Sequence, residues 1–150
     1  MKKEGELLEN YIFYEAVSTG YFDDVVGGFE FFYEQAGSNE PVKNEVDCLL
    51  TKGSQTIVLE AKARFSIDQD VIHKLCNVAS NIGVNAKKVL VITNHSKNEH
   101  ILKATETQFA RGDKDEVIII SGREEIANIG ETLVKIAEGT YVPPKDYFDI

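Results

Sequence analysis

Asn44-Glu45-Val46-Asp47-Cys48-Leu49-Leu50 is followed, after Thr51-Lys52-Gly53-Ser54-Gln55, by Thr56-Ile57-Val58-Leu59-Glu60-Ala61-Lys62-Ala63-Arg64. Strand side chains alternate faces with a period of two. Val46, Cys48 and Leu50 therefore share one face, as do Ile57, Leu59, Ala61 and Ala63. All are apolar, so that face belongs to a core. The other face carries Glu45, Asp47 and Leu49 on the first strand and Val58, Glu60, Lys62 and Arg64 on the second. The short polar connection centred on Gly53-Ser54 reads as a hairpin turn. In a hairpin symmetric about that pair, Asp47 faces Glu60 and Glu45 faces Lys62; an odd-length loop would set them diagonally.

Directly opposed residues of an antiparallel pair have Cβ atoms about 4.5–5.5 Å apart, and like charges there are destabilising. An Asp and a Glu on adjacent strands usually mark a solvated sheet face. Here Leu49 and Val58 share that face, so the charged end is expected to be sheltered, with the first helix as the expected cover. Convergent carboxylates suit a hard cation such as Mg²⁺ or Mn²⁺. Such an ion lowers the pKa of a bound water and polarises a phosphoryl oxygen. Lys62, two residues beyond Glu60 on the same face, is placed to stabilise developing negative charge. Asp47 and Glu60 are thus candidate metal ligands, Lys62 a candidate catalytic residue, and Glu45 an alternate ligand or supporting carboxylate.

Working outward, residues 4–19 read as a helix with Leu7, Leu8, Tyr11, Ile12 and Ala16 at helical spacing and Gly20 as its stop. Residues 22–34 read as a strand with a bulge or tight bend at Gly27-Gly28. Residues 36–41 form a turn or short loop. A helix is expected from about Asp68 to Ile82, its apolar face made by Val71, Ile72, Leu75, Val78, Ala79 and Ile82. Val89–Ile92 and Val117–Ile120 are short buried strands, 98–110 and 123–137 are helices, and the tail from Tyr141 is irregular. An antiparallel opening followed by alternating helices and strands predicts an α/β fold, a central mixed sheet flanked by helices.

The chain has 150 residues with 43% hydrophobic content, which fits one domain over 1–150. No apolar run approaches a membrane span, and Met1-Lys2-Lys3 leads into acidic residues rather than a signal-peptide core, so a soluble, cytoplasmic protein is expected. Cys48 and Cys76 lack metal-ligand spacing and are expected to be buried as small hydrophobes. The net charge of −9 argues against a nucleic-acid partner until its distribution is considered. Residues 1–50 carry three Lys/Arg against eleven Asp/Glu and residues 101–150 six against ten, whereas residues 51–100 carry seven against four. Only the middle third is basic, and the Glu60-x-Lys62 motif lies near its start.

With these residues in place, the sequence resembles the PD-(D/E)XK nuclease superfamily, whose core is a helix, three antiparallel strands, a helix and a further strand. The motif Asp…Glu/Asp-x-Lys matches Asp47 and Glu60-Ala61-Lys62. More narrowly, it resembles the C-terminal nuclease domain of CRISPR-associated effectors switched on by cyclic oligoadenylate. Gly5-Glu6-Leu7-Leu8-Glu9-Asn10-Tyr11, Asn44-Glu45-Val46-Asp47, Glu60-Ala61-Lys62 and Lys74-Leu75 carry that likeness. The resemblance implies a restriction-endonuclease-like fold and Mg²⁺- or Mn²⁺-dependent hydrolysis of DNA. It also implies a metal-shell role for the Ala61 carbonyl and an approach of Glu9 from the first helix. The effectors' sensor domain has no counterpart in these residues, and Ala61 stands where Cys is common, so ligand-triggered regulation is not carried over. A separate sensor or activator would be a partner, and a homodimer would supply two sites to a duplex.

Two other readings stay open: a structure-selective junction resolvase, and a catalytically weak binding module on the same fold. Arg64, Lys87 and Lys88 are the candidate phosphate contacts. His73, His95 and His100 lack metal spacing, and Gln69, one turn before His73, is weighed as a site-orienting residue against a solvated first-turn one. Gly27-Gly28 does not make a phosphate-binding loop. Phe29, Phe31 and Phe32 read as core and sheet-edge packing.

Overall fold

A computed structural model describes residues 2–33, 37, 39–40, 42–63, 69–82, 86–93 and 117–142. The elements are α1 (Lys2–Ser18), β1 (Asp24–Tyr33), β2 (Val42–Lys52), β3 (Gln55–Lys62), α2 (Gln69–Ile82), β4 (Lys87–Ile92), β5 (Val117–Ser121), α3 (Arg123–Ala127) and α4 (Ile129–Glu138). The expected helix at 98–110, the tail beyond 142, Arg64, His95 and His100 lie outside the described residues. Among the described residues no helix is long and apolar enough to cross a membrane.

The strands form one sheet in the order β1-β2-β3-β4-β5. β1, β2 and β3 are antiparallel neighbours, and β3, β4 and β5 run parallel. This is the expected mixed sheet between helices. The hairpin register is also the expected one: Cys48 pairs with Leu59, Leu50 with Ile57 and Lys52 with Gln55. The strands run further into the connection than the sequence suggests, leaving Gly53-Ser54 as the turn. Gly53 takes φ 57° there, and its N–H donates to Asp23 Oδ2 at 2.6 Å.

Both faces of the sheet are covered. Leu8, Ile12 and Ala16 of α1 and Ile129, Leu133 and Ile136 of α4 pack on Cys48, Leu50, Ile57, Leu59, Ala61, Val89 and Val91. Ile72, Leu75, Val78 and Ala79 of α2 cover Val58, Leu90, Ile92, Val117 and Ile119. Leu49 and Val58 are therefore sheltered by the second helix rather than the first. On α1 the buried stripe is narrower than the sequence suggests: Leu7 stays 69% exposed and Tyr11 37%. α4 approaches α1 closely at Gly130, where a Cβ would lie 3.0 Å from the Glu15 carbonyl oxygen. The expected single helix at 123–137 breaks at Asn128, whose Nδ2 donates back to the Glu124 carbonyl. Cys48 is buried, but Cys76 is only partly so.

Of the bulge or tight bend expected at Gly27-Gly28, the bulge is not found, although pairing is interrupted at Gly28. No extra residue is inserted, because β1 and β2 keep one register on both sides, Gly27 with Cys48 and Phe29 with Val46. What changes is the face. Cys48 and Leu50 belong to the cluster under α1, whereas Val46 belongs to the cluster under α2. Val25 and Phe29 of β1 divide the same way. Strict alternation would have kept Val46 with Cys48. Gly28, at φ 60°, stands across from Asp47 at the crossover, in a backbone conformation that glycine adopts without steric cost.

Candidate active site

At Asp47 the β2–β3 ladder stops. The last paired residues are Cys48 and Leu59, while β2 continues beside β1 as far as Val42 and β3 continues beside β4 as far as Lys62. A gap opens between the two strands. Asp47 lies at its apex, and its Oδ2 accepts the Ala61 N–H at 2.9 Å. The side chain thus takes over a donor that β2's main chain no longer reaches. The Lys62 carbonyl, one residue on, is turned to the other side, where it accepts the Thr93 N–H at 3.3 Å. Successive strand residues direct their main-chain polar groups to opposite edges, so the Ala61 carbonyl shares the β2-side gap with its N–H.

Glu60 is buried, with 4% of its surface exposed, on the central strand that both helical layers enclose. Lys62 Nζ lies 3.7 Å from its Oε2 and Lys74 Nζ, from α2, 4.0 Å from its Oε1. Burial pushes the Glu60 carboxyl up to about 7; the Asp47 charge adds to this, and Lys74 and Lys62 oppose it. Glu9 reaches the same cluster from α1. Its carboxyl is also raised to about 7, by burial first, then by the charge of Asp47, a hydrogen bond shared with Asp47, and Glu45; Lys62 opposes.

The structure thus brings Glu9, Asp47, Glu60, Ala61 and Lys62 together, with Glu45 at the periphery. Glu45 does not face Lys62 across a ladder, because the strands have parted; it pairs with Glu30 of β1. Lys87 is elsewhere. Its Nζ donates to the Ile136 carbonyl at 2.5 Å, near the carboxyl end of α4, where a cation is favoured. Lys87 pairs with Ile57 and Lys88 with Val58, towards the start of β3, whereas Glu60 and Lys62 pair with Leu90 and Ile92. Lys87 is therefore not brought to the carboxylates. Lys74 is; the sequence pointed to it only through the Lys74-Leu75 likeness, with no role attached, because a lysine on the polar side of an amphipathic helix looks like any solvated charge.

Among the described residues no group of three or more His, Cys, Asp or Glu side chains forms a ready metal cage. The donors present are nevertheless all hard oxygens: two carboxylates crowded at a strand junction and one main-chain carbonyl. Mg²⁺ characteristically keeps most of its waters and binds through one or two carboxylates, so this set fits it. It suits Mn²⁺ equally.

Residues 4–120 match the family model described as a domain of unknown function, DUF4143. The chain belongs to this family. Two solved structures share the fold over 89% of the chain: protein VC1899 from Vibrio cholerae, at 15% identity and TM-score 0.65, and Can2 from Sulfobacillus thermosulfidooxidans in complex with cyclic tetra-adenylate, at 17% and 0.63. The chain spans only 33% and 37% of those proteins' lengths. The small subunit of the heterodimeric restriction endonuclease R.BspD6I also matches over 89% of the chain and 69% of its own length, at 14% identity and TM-score 0.50. The fold is restriction-endonuclease-like. No curated protein sequence matches the chain.

Proposed function

We propose that the chain is a divalent-metal-dependent nuclease domain that hydrolyses phosphodiester bonds in DNA. The observation that carries this reading is the parting of β2 from β3 at Asp47. It sets that carboxylate on the Ala61 N–H, beside buried Glu60 and within reach of Glu9. A structural hairpin gains nothing from leaving its ladder to set Asp47 beside a second carboxylate.

Asp47, Glu60 and the Ala61 carbonyl would hold Mg²⁺ or Mn²⁺. Bound there, the cation would activate a water and polarise the phosphoryl oxygens. Lys62, held against Glu60, supplies positive charge where negative charge grows in the transition state. Glu9, brought beside Asp47 from α1, is the helix-borne carboxylate that would contribute to the site. Lys74 steadies the Glu60 carboxylate from α2. Arg64 and Lys88 remain proposed phosphate contacts; Lys87, held on the Ile136 carbonyl, does not. The restriction endonuclease subunit among the structural neighbours supports the reaction class, and its heterodimer supports a role for a partner chain.

The test is incubation of the purified chain with single-stranded and supercoiled DNA in Mg²⁺, Mn²⁺ or EDTA, beside Lys62→Ala and Asp47→Ala. Metal-dependent nicking that both variants lose is the expected result. A folded protein that neither cleaves nor gains thermal stability from Mn²⁺ would overturn it in favour of a binding module.

A further inference from the structure

A groove of about 420 Å³ opens at the carboxyl end of β4, lined by Tyr11, Thr93, Arg123, Ile126 and Ala127. Thr93 is the residue whose N–H meets the Lys62 carbonyl, so the groove lies at the same end of the sheet as Lys62, one strand over, with its Ile126 wall on the α1 face and Glu60 on the α2 face. Tyr11 bounds the groove on the α1 side; two residues after Glu9, it leaves the helix about 200° round from that carboxylate. Its hydroxyl donates to the Ala127 carbonyl at 3.2 Å, which tethers the ring, and the residue as a whole is 37% exposed. Arg123 is exposed and, among the described residues, in no ion pair.

The groove therefore combines a tethered aromatic ring, a cation in no ion pair, a hydroxyl-bearing residue and an apolar back wall. Pockets of roughly 300–1,000 Å³ with apolar walls and a few placed polar groups are the size of small-ligand sites. Proteins hold unpaired nucleotides by stacking bases on aromatic rings beside cations that take the phosphates. We infer that this groove is the subsite for an unpaired nucleotide next to the scissile phosphodiester, with its base against Tyr11 and its phosphate on Arg123. The assignment rests on the nuclease reading for its biological sense. It also answers a difficulty in that reading: Lys62 and Lys74 are engaged with Glu60, so a polyanion approaching the carboxylates needs a further cation.

The test is fluorescence anisotropy of a labelled eight-nucleotide oligothymidylate in EDTA at low salt, where cleavage plays no part. Tyr11→Ala and Arg123→Ala should each weaken binding about tenfold, a stacking-sized loss. Tyr11→Phe, which keeps the ring, should bind within about twofold of the parent, as should Lys135→Ala, which removes a charge elsewhere on the exposed surface. No binding by the parent, or equal binding by folded Tyr11→Ala and Arg123→Ala, would overturn the subsite. So would an eight-base-pair duplex that binds as tightly with the same dependence on both residues. A chain that never cleaves but shows Tyr11- and Arg123-dependent binding would keep the subsite and lose the nuclease. Cleavage without that dependence would do the reverse.

Discussion

Asp47 Oδ2 accepts the Ala61 N–H at 2.9 Å, at the point where β2 and β3 part. It closes the end of the β2–β3 ladder with a carboxylate instead of a carbonyl. It also fixes that carboxylate beside Glu60 before any ligand arrives, and pre-set charge of this kind costs no reorganisation when a reaction begins.

Glu60→Gln and Lys62→Ala should each lower DNA cleavage by about 10²–10³-fold, the usual loss on removing one transition-state contact. Circular dichroism should show both variants folded. Asp47→Asn should be as damaging to cleavage while keeping an oxygen for the Ala61 N–H. Its melting temperature should therefore stay nearer the parent than that of Asp47→Ala.

The raised carboxyls predict an inverted dependence of stability on pH in EDTA. Glu9 and Glu60 titrate near 7 in the folded chain against an ordinary value of 4.5. Between those limits the native state holds protons that the unfolded state has released, so stability falls as pH rises from about 4.5 through about 7. Thermal melts at pH 5 and pH 8 should show the drop. Glu60→Gln should lessen it, leaving the share due to Glu9, which separates this effect from general repulsion at net charge −9. An unchanged slope in that variant would remove Glu60 as the cause.

Mn²⁺ should reverse the penalty at pH 8. A ligand at 100 times its dissociation constant stabilises by about 2.7 kcal/mol, which for a domain of this size is a rise of several degrees in melting temperature. The rise should vanish in Asp47→Asn and Glu60→Gln and persist in Arg123→Ala.

Lys74→Ala removes a cation that holds the Glu60 carboxyl down. Glu60 then titrates higher still, and a ligand carboxylate must be ionised to bind. The rising limb of activity against pH should move to higher pH, while activity well above that limb recovers towards the parent value. A uniform loss at every pH would mean that Lys74 acts otherwise.

Gly130→Ala tests the α1–α4 contact. A Cβ there meets the Glu15 carbonyl oxygen at 3.0 Å and Thr19 Cγ2 at 3.1 Å, and overpacking of this kind costs about 1–3 kcal/mol. Alanine's helix preference, about 1 kcal/mol at most, offsets only part of that. A lower melting midpoint is expected, with metal binding retained.

Much of this protein is written in local patterns. The alternation in 44–50 and 56–64 and the central Gly53-Ser54 determine the hairpin and its register, because a two-residue period and a tight turn depend only on near neighbours. The apolar spacing of Ile72, Leu75, Val78 and Ala79 determines α2 in the same way. Glu60-x-Lys62 puts a carboxylate and an ammonium on one strand face by that same alternation. Other features have no local cause. Val46 changes sides relative to Cys48, and Asp47 leaves the ladder, where Gly28 of a different strand permits the crossover. The shelter over Leu49 and Val58 comes from α2, Glu9 arrives on a helix nearly forty residues away, and Lys87 is drawn off by the carboxyl end of α4. Each of these is settled by which distant segments pack against one another, since burying both faces of the sheet outweighs the alternation of any single strand.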